Sequence, residues 1–415
     1  MRSDRYKEEP KKKTNHLLAV LFVFIILLLT ALALAVLRFY MNTLDSISLE
    51  FSDDSPVLEV GEEHRAMDYV ESCEGEVTPS AEYLDTGSAG VNALTYTVTK
   101  PIIGGLLSPS KKYNLKYEVS DTTPPLIMNR GDGALIERGT EFDINNIISF
   151  GDNADPSPSV TVDGNVDTSV NGDYPLHIKV EDASGNAEEW DASVTVTDSI
   201  PPYEEPGGSF AFADFVSEYK GSGKTFGIDV SEWQKDIDFE AVKKAGCEFV
   251  IIRVGYGDAE KRTEDEKFRQ NFSRAKEAGL KVGVYFYSYD NTEESVRDSA
   301  KWIIEKLGGE KLELPVAFDW EEFAGFQTYK MSFYTLNRLY DAFADELSNA
   351  GYETMLYGSK IYLEKVWSDT DTRPVWLAHY TEKTDYESPY VIWQAGSTGR
   401  IDGIDGAVDL DIMYE

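Results

Sequence analysis

Near the N-terminus an unbroken apolar run, LLAVLFVFIILLLTALALAVL from Leu17 to Leu37, predicts one helix long enough to cross a hydrocarbon core of about 30 Å. Between residues 45 and 200 the pattern changes to short β-type runs broken by Gly, Asp, Asn and Pro, which predicts sandwich strands and turns. Leu115–Val119, Ile127–Met128, Leu176–Val180 and Ser193–Thr197 are examples. From Thr225 onward apolar runs alternate with helical stretches, the signature of β/α units around a parallel sheet. The strand candidates are Phe226–Val230, Phe249–Val254, Val282–Tyr287, Val316–Asp319, Thr354–Tyr357, Val375–Ala378, Val391–Gln394 and Leu410–Met413. Helices are expected at Phe239–Ala245, Glu266–Ala278, Ser295–Leu307 and Tyr334–Ala350. Eight strands predict a barrel, and ~190 residues are few for eight full β/α units, so later helices are expected to be reduced or missing.

The β-rich part carries a weak internal repeat. Leu84-Asp85-Thr86, Gly90 and Leu94–Val98 resemble Val166-Asp167-Thr168, Gly172 and Tyr174–Val180, and the copies close alike in Val119–Pro125 and Val196–Pro202. Two tandem sandwich modules, 45–120 and 121–200, fit this; the first departs from the second by an irregular insertion around Pro101–Ser110. Their simplest role is that of a spacer. Asp152, Asp155, Asp182 and Asn186 are of the kind that hold calcium, and equally of the kind that build β-turns. Residues 201–224, rich in Pro and Gly, read as a linker. The predicted organisation is therefore multidomain: a tail (1–16), a transmembrane helix (17–37), two all-β sandwich modules, the linker, and an α/β barrel (225–415).

Charge narrows the function. With 74 acidic and 39 basic residues, a formal net charge of −35, the chain argues against nucleic acid as a partner, since phosphate binding needs clustered Lys and Arg. Two cysteines, Cys73 and Cys247, fall in different predicted domains and imply no disulfide framework. The four histidines show no metal-ligand spacing, so metal catalysis would have to rest on carboxylates alone. Arg2, Arg5, Lys7, Lys11, Lys12 and Lys13 precede the apolar run, and only Arg38 follows it before acidic residues begin. By the positive-inside bias this predicts a single-pass type II protein of the cell membrane, with the catalytic domain extracellular.

Catalytic residues of a β/α barrel sit at the C-terminal ends of its strands. Asp229 ends the first candidate strand, Asp319 and Glu321 the fourth, and Asp409 and Asp411 flank the start of the last, which in a closed barrel lies beside the first. A carboxylate crowd in a partly dry cleft raises the pKa of at least one member and so supplies a proton donor near neutral pH. Glycosidic cleavage needs one protonated carboxyl and a second negative group. Tyr285, Tyr287, Trp320, Tyr357, Trp376, Tyr380 and Trp393 cluster at the same ends, where flat rings stack on sugars or pack the rim. His379 reads as structural.

These residues make 225–415 resemble glycoside hydrolase family 25, the lysozyme-like muramidases: GIDVSEWQ (Gly227–Gln234), FVIIRVGYG (Phe249–Gly257), AGLKVGVYFYS (Ala278–Ser288), FDWE (Phe318–Glu321), WLAHY (Trp376–Tyr380), WQ (Trp393-Gln394) and DGIDGAVDLD (Asp402–Asp411). Residues 121–198 likewise look like a bacterial immunoglobulin-like domain. The first resemblance implies a TIM-like barrel with an irregular second half that cleaves the β-1,4 bond between N-acetylmuramic acid and N-acetylglucosamine in peptidoglycan, with neither metal nor cofactor. It implies that Glu321 is the general acid, that Asp319 supports the developing charge or positions the substrate's acetamido group, and that Asp229 and Asp409 line the cleft. Tyr285, Tyr287, Tyr357, Trp376, Tyr380, Trp393 and Gln394 are then the candidate substrate-binding residues. A covalent intermediate and participation by the substrate both remain open. The sequence departs from the family at Asp411, where Asn is common, and at YFYS, where many relatives carry His after the first Tyr. Peptidoglycan strands are the expected partner, beside the membrane and an unidentified surface protein. The alternative is a wall-binding scaffold with little turnover.

Overall fold

The computed structural model describes residues 12–201 and 210–414, which fall into two compact units, one up to Ser120 and one from Asp121. The first unit begins with a helix, Lys12–Asp45, able by length and composition to cross a membrane. It continues eight residues past the predicted span because nothing from Arg38 to Asp45 breaks a helix, and the Thr43 hydroxyl donates to the carbonyl of Phe39 at 2.9 Å. Most of the predicted tail, residues 1–11, lies outside the described residues.

The sandwich module that follows has a four-stranded sheet in the order Val57–Glu59, Ser110–Ser120, Gly90–Thr99, Glu76–Pro79, and a two-stranded sheet of Leu49–Phe51 with Val70–Cys73. Alternation places Leu94, Tyr96 and Val98 inward, and Leu115, Tyr117 and Val119 inward on the neighbouring strand, with Leu94 directly opposite Leu115. In the second unit, Ala134–Glu137, Ala187–Thr197, Gly172–Glu181 and Ser159–Asp163 form a four-stranded sheet, and Leu126–Asn129 pairs with Ser149–Gly151. The two modules share one topology: in each the first strand of the larger sheet runs parallel to the last, and the remaining pairs are antiparallel. The repeat read in the sequence is therefore a repeat of strand order, with Gly90 and Gly172 each opening the third strand of its larger sheet in chain order.

The rest of the second unit is a closed barrel. Its strands are β1 (Lys224–Val230), β2 (Phe249–Gly257), β3 (Lys281–Ser288), β4 (Val316–Asp319), β5 (Thr354–Ser359), β6 (Val375–Ala378), β7 (Ile392–Arg400) and β8 (Val408–Tyr414). Neighbours from β1 to β7 are parallel, and β8 closes the ring antiparallel to both β7 and β1. Helices α1 (Phe239–Lys244), α2 (Phe268–Glu277), α3 (Glu293–Leu307), α4 (Phe333–Asn349) and α5 (Lys360–Lys365) follow β1 to β5 in turn, and no helix follows β6 or β7 among the described residues. Starts are set by side-chain caps, Asp238 for α1, Thr292 for α3 and Ser332 for α4, each satisfying a backbone N–H that the first turn leaves unpaired. Alternation along each strand sorts two cores. Val250, Ile252, Val284, Phe286, Phe318 and Leu356 face the helices, and Ile251, Ala317, Met355, Trp376 and Ile392 fill the interior. Gly227 has to be glycine on the inner face, since a Cβ there would meet the Phe249 ring at 2.5 Å.

Two relationships were not expected. Residues 210–219, read as linker, belong to the barrel: Phe210–Ala211 pairs with β7, and helix Phe212–Tyr219 buries Phe212 and Phe215 against Phe226. Burying two Phe side chains stabilises by about 1.5–3 kcal/mol each, enough to seat a short helix. Residues 202–209 of that segment lie outside the described residues. The second relationship concerns the sandwich module of this unit, which grips the loop between β4 and α4. Ser149 Oγ accepts from Gly325 N at 3.0 Å, the Gln327 amide donates to the carbonyls of Asn145 and Ile148 at 3.2 and 3.1 Å, and the carbonyl of Asp152 accepts from Phe333 N at 2.7 Å. Gly151 lies so close to Phe326 and Phe333 that a Cβ would sit 2.6 Å from both rings.

Candidate active site

Because β8 runs against the other strands, its first residues lie at the same mouth of the barrel as the last residues of β1 to β7. Asp409 sits directly opposite Asp229, and Asp411 opposite Gly227 on one side and Gln394 on the other. From β4, Asp319 points inward and Trp320 outward. Trp320 is fully buried, donates Nε1 to the carbonyl of Asp290 at 3.0 Å, and packs edge-on against Phe323, Phe326 and Tyr329. That anchor returns Glu321 to the mouth, where its side chain is open to solvent.

The acids form two hydrogen-bonded carboxyl pairs, Asp319 with Glu321 and Asp229 with Asp411. Burial comes first among the causes and raises all four above the usual carboxylate range; like charge adds to it at Asp319, from Glu321, and at Asp229, from Asp409 and Asp411. Asp411 is pushed up to about 8 and Asp409, also by burial first, to about 7. Like charges this close disfavour ionising both members of a pair, so each pair titrates as a unit. Asp319 is 4% exposed and its Oδ1 has no hydrogen-bond partner. Glu321 is accessible by surface area although the surrounding groups desolvate it enough to raise its pKa. A proton shared by the pair therefore leaves through Glu321, the member that a ligand in the mouth is able to touch.

A second network fixes Asp229. Tyr357 and Tyr380 both donate their hydroxyls to Gln394 Oε1, at 3.0 and 2.9 Å, and Gln394 Nε2 donates to Asp229 Oδ2 at 2.8 Å. Two donors on one amide oxygen leave the amide a single orientation. On the far side Trp376 Nε1 donates to Asp411 Oδ1 at 2.8 Å.

Of the aromatic residues singled out, Tyr380 is exposed at the mouth, and Tyr285 and Tyr287 are half-buried there. Burial raises the Tyr285 and Tyr287 hydroxyls further, as do nearby acids, among them Asp229 at Tyr285 and Glu321 at Tyr287. Tyr287 donates to Glu322 Oε1 at 3.1 Å. Tyr357 and Trp376 face the interior but are buried, with their rings 4.7 Å apart, and act as braces for Gln394 and Asp411. Trp393 does not face the mouth at all: strand alternation that turns Gln394 inward turns its neighbour outward. Its ring meets Tyr219 edge-on at 5.5 Å and its Nε1 donates to the carbonyl of His379 at 2.8 Å.

Sequence reasoning passed over Arg253. On β2 it points inward, nearly buried, with Nε on Asp265 Oδ2 at 2.8 Å and a terminal nitrogen on Glu232 Oε1 at 3.0 Å. Its charge opposes the rise of Asp319. The available signal was an Arg within the apolar run FVIIRVGYG at the same strand parity as the inward Ile251.

With this geometry in place, comparison with known proteins is informative. Residues 228–404 match the model of Glycosyl hydrolases family 25. The barrel is a family 25 glycosyl hydrolase domain. Residues 128–196 match the bacterial surface protein Ig-like domain, so the second sandwich module is immunoglobulin-like. The family 25 match ends before β8, the strand that carries Asp409 and Asp411. The chain is 31% identical over 191 residues to the autolytic lysozyme of Clostridium acetobutylicum, covering 46% of this chain and 56% of that protein. It is 28% identical over 202 residues to lysozyme M1 of Streptomyces globisporus, covering 44% and 65%. Among solved structures, the modular autolysin LytC of Streptococcus pneumoniae in complex with a synthetic peptidoglycan ligand is 25% identical, covering 57% of this chain and 56% of that one, with a TM-score of 0.42. The chain thus spans little more than half the length of the first curated relative, and likeness to the family 25 domain is likeness of that domain.

Proposed function

We propose that the protein is a membrane-anchored extracellular muramidase that hydrolyses the β-1,4 bond between N-acetylmuramic acid and N-acetylglucosamine in peptidoglycan. The observation that carries this reading is the Asp319–Glu321 carboxyl pair at the mouth of a family 25 barrel, with its buried member closed off and its other member open to ligand. Lysozyme relatives support the substrate class, and the apolar helix preceded by six basic residues supports the anchor and its type II orientation.

In this mechanism Glu321 gives its proton to the glycosidic oxygen as the bond to the anomeric carbon breaks, and the leaving sugar departs as an alcohol. Asp319, now relieved of the shared proton's competition, faces the oxocarbenium-like carbon or orients the acetamido group. Asp229, fixed by Gln394, and Asp409 hold the cleft negative. Glu321 then takes a proton from the incoming water. Tyr285, Tyr287 and Tyr380 offer ring faces and hydroxyls to the glycan, while Tyr357, Trp376 and Gln394 act on substrate through the acids they position.

The test uses the full-length chain in detergent, because the immunoglobulin-like module holds the loop that follows Glu321. Digestion of purified peptidoglycan is expected to release reducing muramic acid ends, and the Glu321→Gln protein to release none. Glycan binding without release, across several wall types, would make the barrel a binding scaffold instead.

A further inference from the structure

The immunoglobulin-like module brings three acids together away from the barrel mouth. Carboxylate oxygens of Asp121, Asp152 and Asp182 all lie within 4.8 Å of one another. They come from the first residue of the unit, from the turn after strand Ser149–Gly151, and from the turn after strand Gly172–Glu181. Three like charges at this spacing repel one another strongly, the more so where water is excluded.

Most of the polar atoms around them are committed to turns. Asp152 Oδ1 accepts from Ala154 N and Asp155 N at 2.8 and 2.6 Å. Asp182 Oδ1 accepts from Ser184 N and Asn186 N. Of the residues that sequence alone suggested for calcium, Asp155 spends its two oxygens on Ser157 N and Ala183 N, and Asn186 turns its amide to Asp182 Oδ2 and the carbonyl of Asp121 as a donor. Asp155 is not among the carboxylates that converge. Asp152 is different: it is wholly buried, and its Oδ2 has no hydrogen-bond partner. With Oδ1 taken by the turn, Oδ2 is the oxygen left for the gap shared with Asp121 and Asp182. A buried anionic oxygen without a partner costs several kcal/mol unless it is neutralised or paired.

We propose that Asp121, Asp152 and Asp182 form a site for a hard divalent cation, calcium, which converts this mutual repulsion into coordination. All three ligands are carboxylate oxygens, as suits calcium better than a metal demanding nitrogen or sulfur. The location gives the site a consequence. The carbonyl of Asp152 holds Phe333 N at the start of α4, and Asn153 O holds Tyr334 N at 3.2 Å. Calcium at Asp152 therefore stiffens the turn that seats the loop following Glu321.

The experiment takes the full-length chain in detergent, stripped with a chelator, and follows thermal unfolding and equilibrium calcium uptake as calcium is raised. Wild type is expected to gain several degrees, with a midpoint on the order of 10⁻⁴–10⁻³ M as in extracellular modules. Asp152→Asn keeps the turn's acceptor but loses the charge. It is expected to lose one bound calcium per chain and the thermal response, and without calcium to melt no lower than wild type. Asp121→Asn, at a less buried position, is the second variant and is expected to weaken uptake at least tenfold. No response of wild type up to about 10 mM calcium, or unchanged uptake in both variants, would overturn the proposal and leave Asp152 a buried acid that is simply protonated.

Discussion

Asp229 and Asp409 stand directly opposite one another across the antiparallel seam that closes the barrel, and Asp411, two residues on, shares a hydrogen bond with Asp229. This arrangement makes the barrel's stability depend on pH. The unfolded chain releases these protons near pH 4, whereas the folded chain keeps them until about 7 at Asp409 and about 8 at Asp411. Between those limits the folded state binds more protons, so stability is greatest at acid pH and falls as pH rises. Asp411→Asn preserves an acceptor for Trp376 Nε1 and offers Asp229 an N–H that needs no shared proton. It is expected to add on the order of 1–3 kcal/mol at pH 8 and to flatten the decline. Thermal unfolding of both proteins at pH 5 and pH 8 checks this; parallel pH dependence would count against it.

Glu321→Gln changes charge and protonation with almost no change in volume. On the proposed mechanism kcat falls by about 10²–10⁴-fold, with unfolding temperature and glycan affinity unchanged. Soluble muropeptide release and a binding assay on the same preparation separate the two effects.

The activity is expected to show a bell-shaped pH profile, with an alkaline limb above the usual carboxylate range because the proton of the Asp319–Glu321 pair is held by burial. An alkaline limb near pH 4–5 in kcat/KM, that of an ordinary carboxyl, would remove the pair from that role.

Arg253 is buried between Asp265 and Glu232, with the Asp265 side chain at 0% exposure. Arg253→Met strands a buried carboxylate and is expected to cost about 3–5 kcal/mol, measured by denaturant unfolding. It also removes the cation that opposes the rise of Asp319, so the acid limb of any residual activity moves to higher pH. A loss of stability alone would assign Arg253 a purely structural part.

Gly151→Val tests the grip of the immunoglobulin-like module. The added side chain meets Phe326 and Phe333 and is expected to lift the module from the loop 322–333. Faster amide exchange in that loop should accompany a fall in kcat of about 10–100-fold from a small displacement of Glu321. Exchange unchanged, with full activity, would show that the module is only a spacer.

The unbroken apolar runs placed the eight barrel strands, all but the end of β7 within a few residues, because a strand buried on both faces reads as a continuous apolar run. Asp229, Asp319 and Glu321 were legible for the same reason: each closes such a run. The linker reading of 201–224 went astray because Pro and Gly before residue 209 masked the helical spacing of Phe212, Phe215 and Tyr219. Inward or outward direction was harder. Trp393 and Gln394 are adjacent and equally plausible as sugar contacts, and only the register of β7 against β6 and β8 sends one to the helices and the other to Asp229. Asp121, Asp152 and Asp182 are separated by about thirty residues at each step, and the gripped loop and its module by far more. Sequence determined which elements form and which acids end them, since those follow from local periodicity. The pairing of acids across the seam, the gathering of three more beside the loop, and the hold of one module on another depend on closure of the chain in space, which no local pattern records.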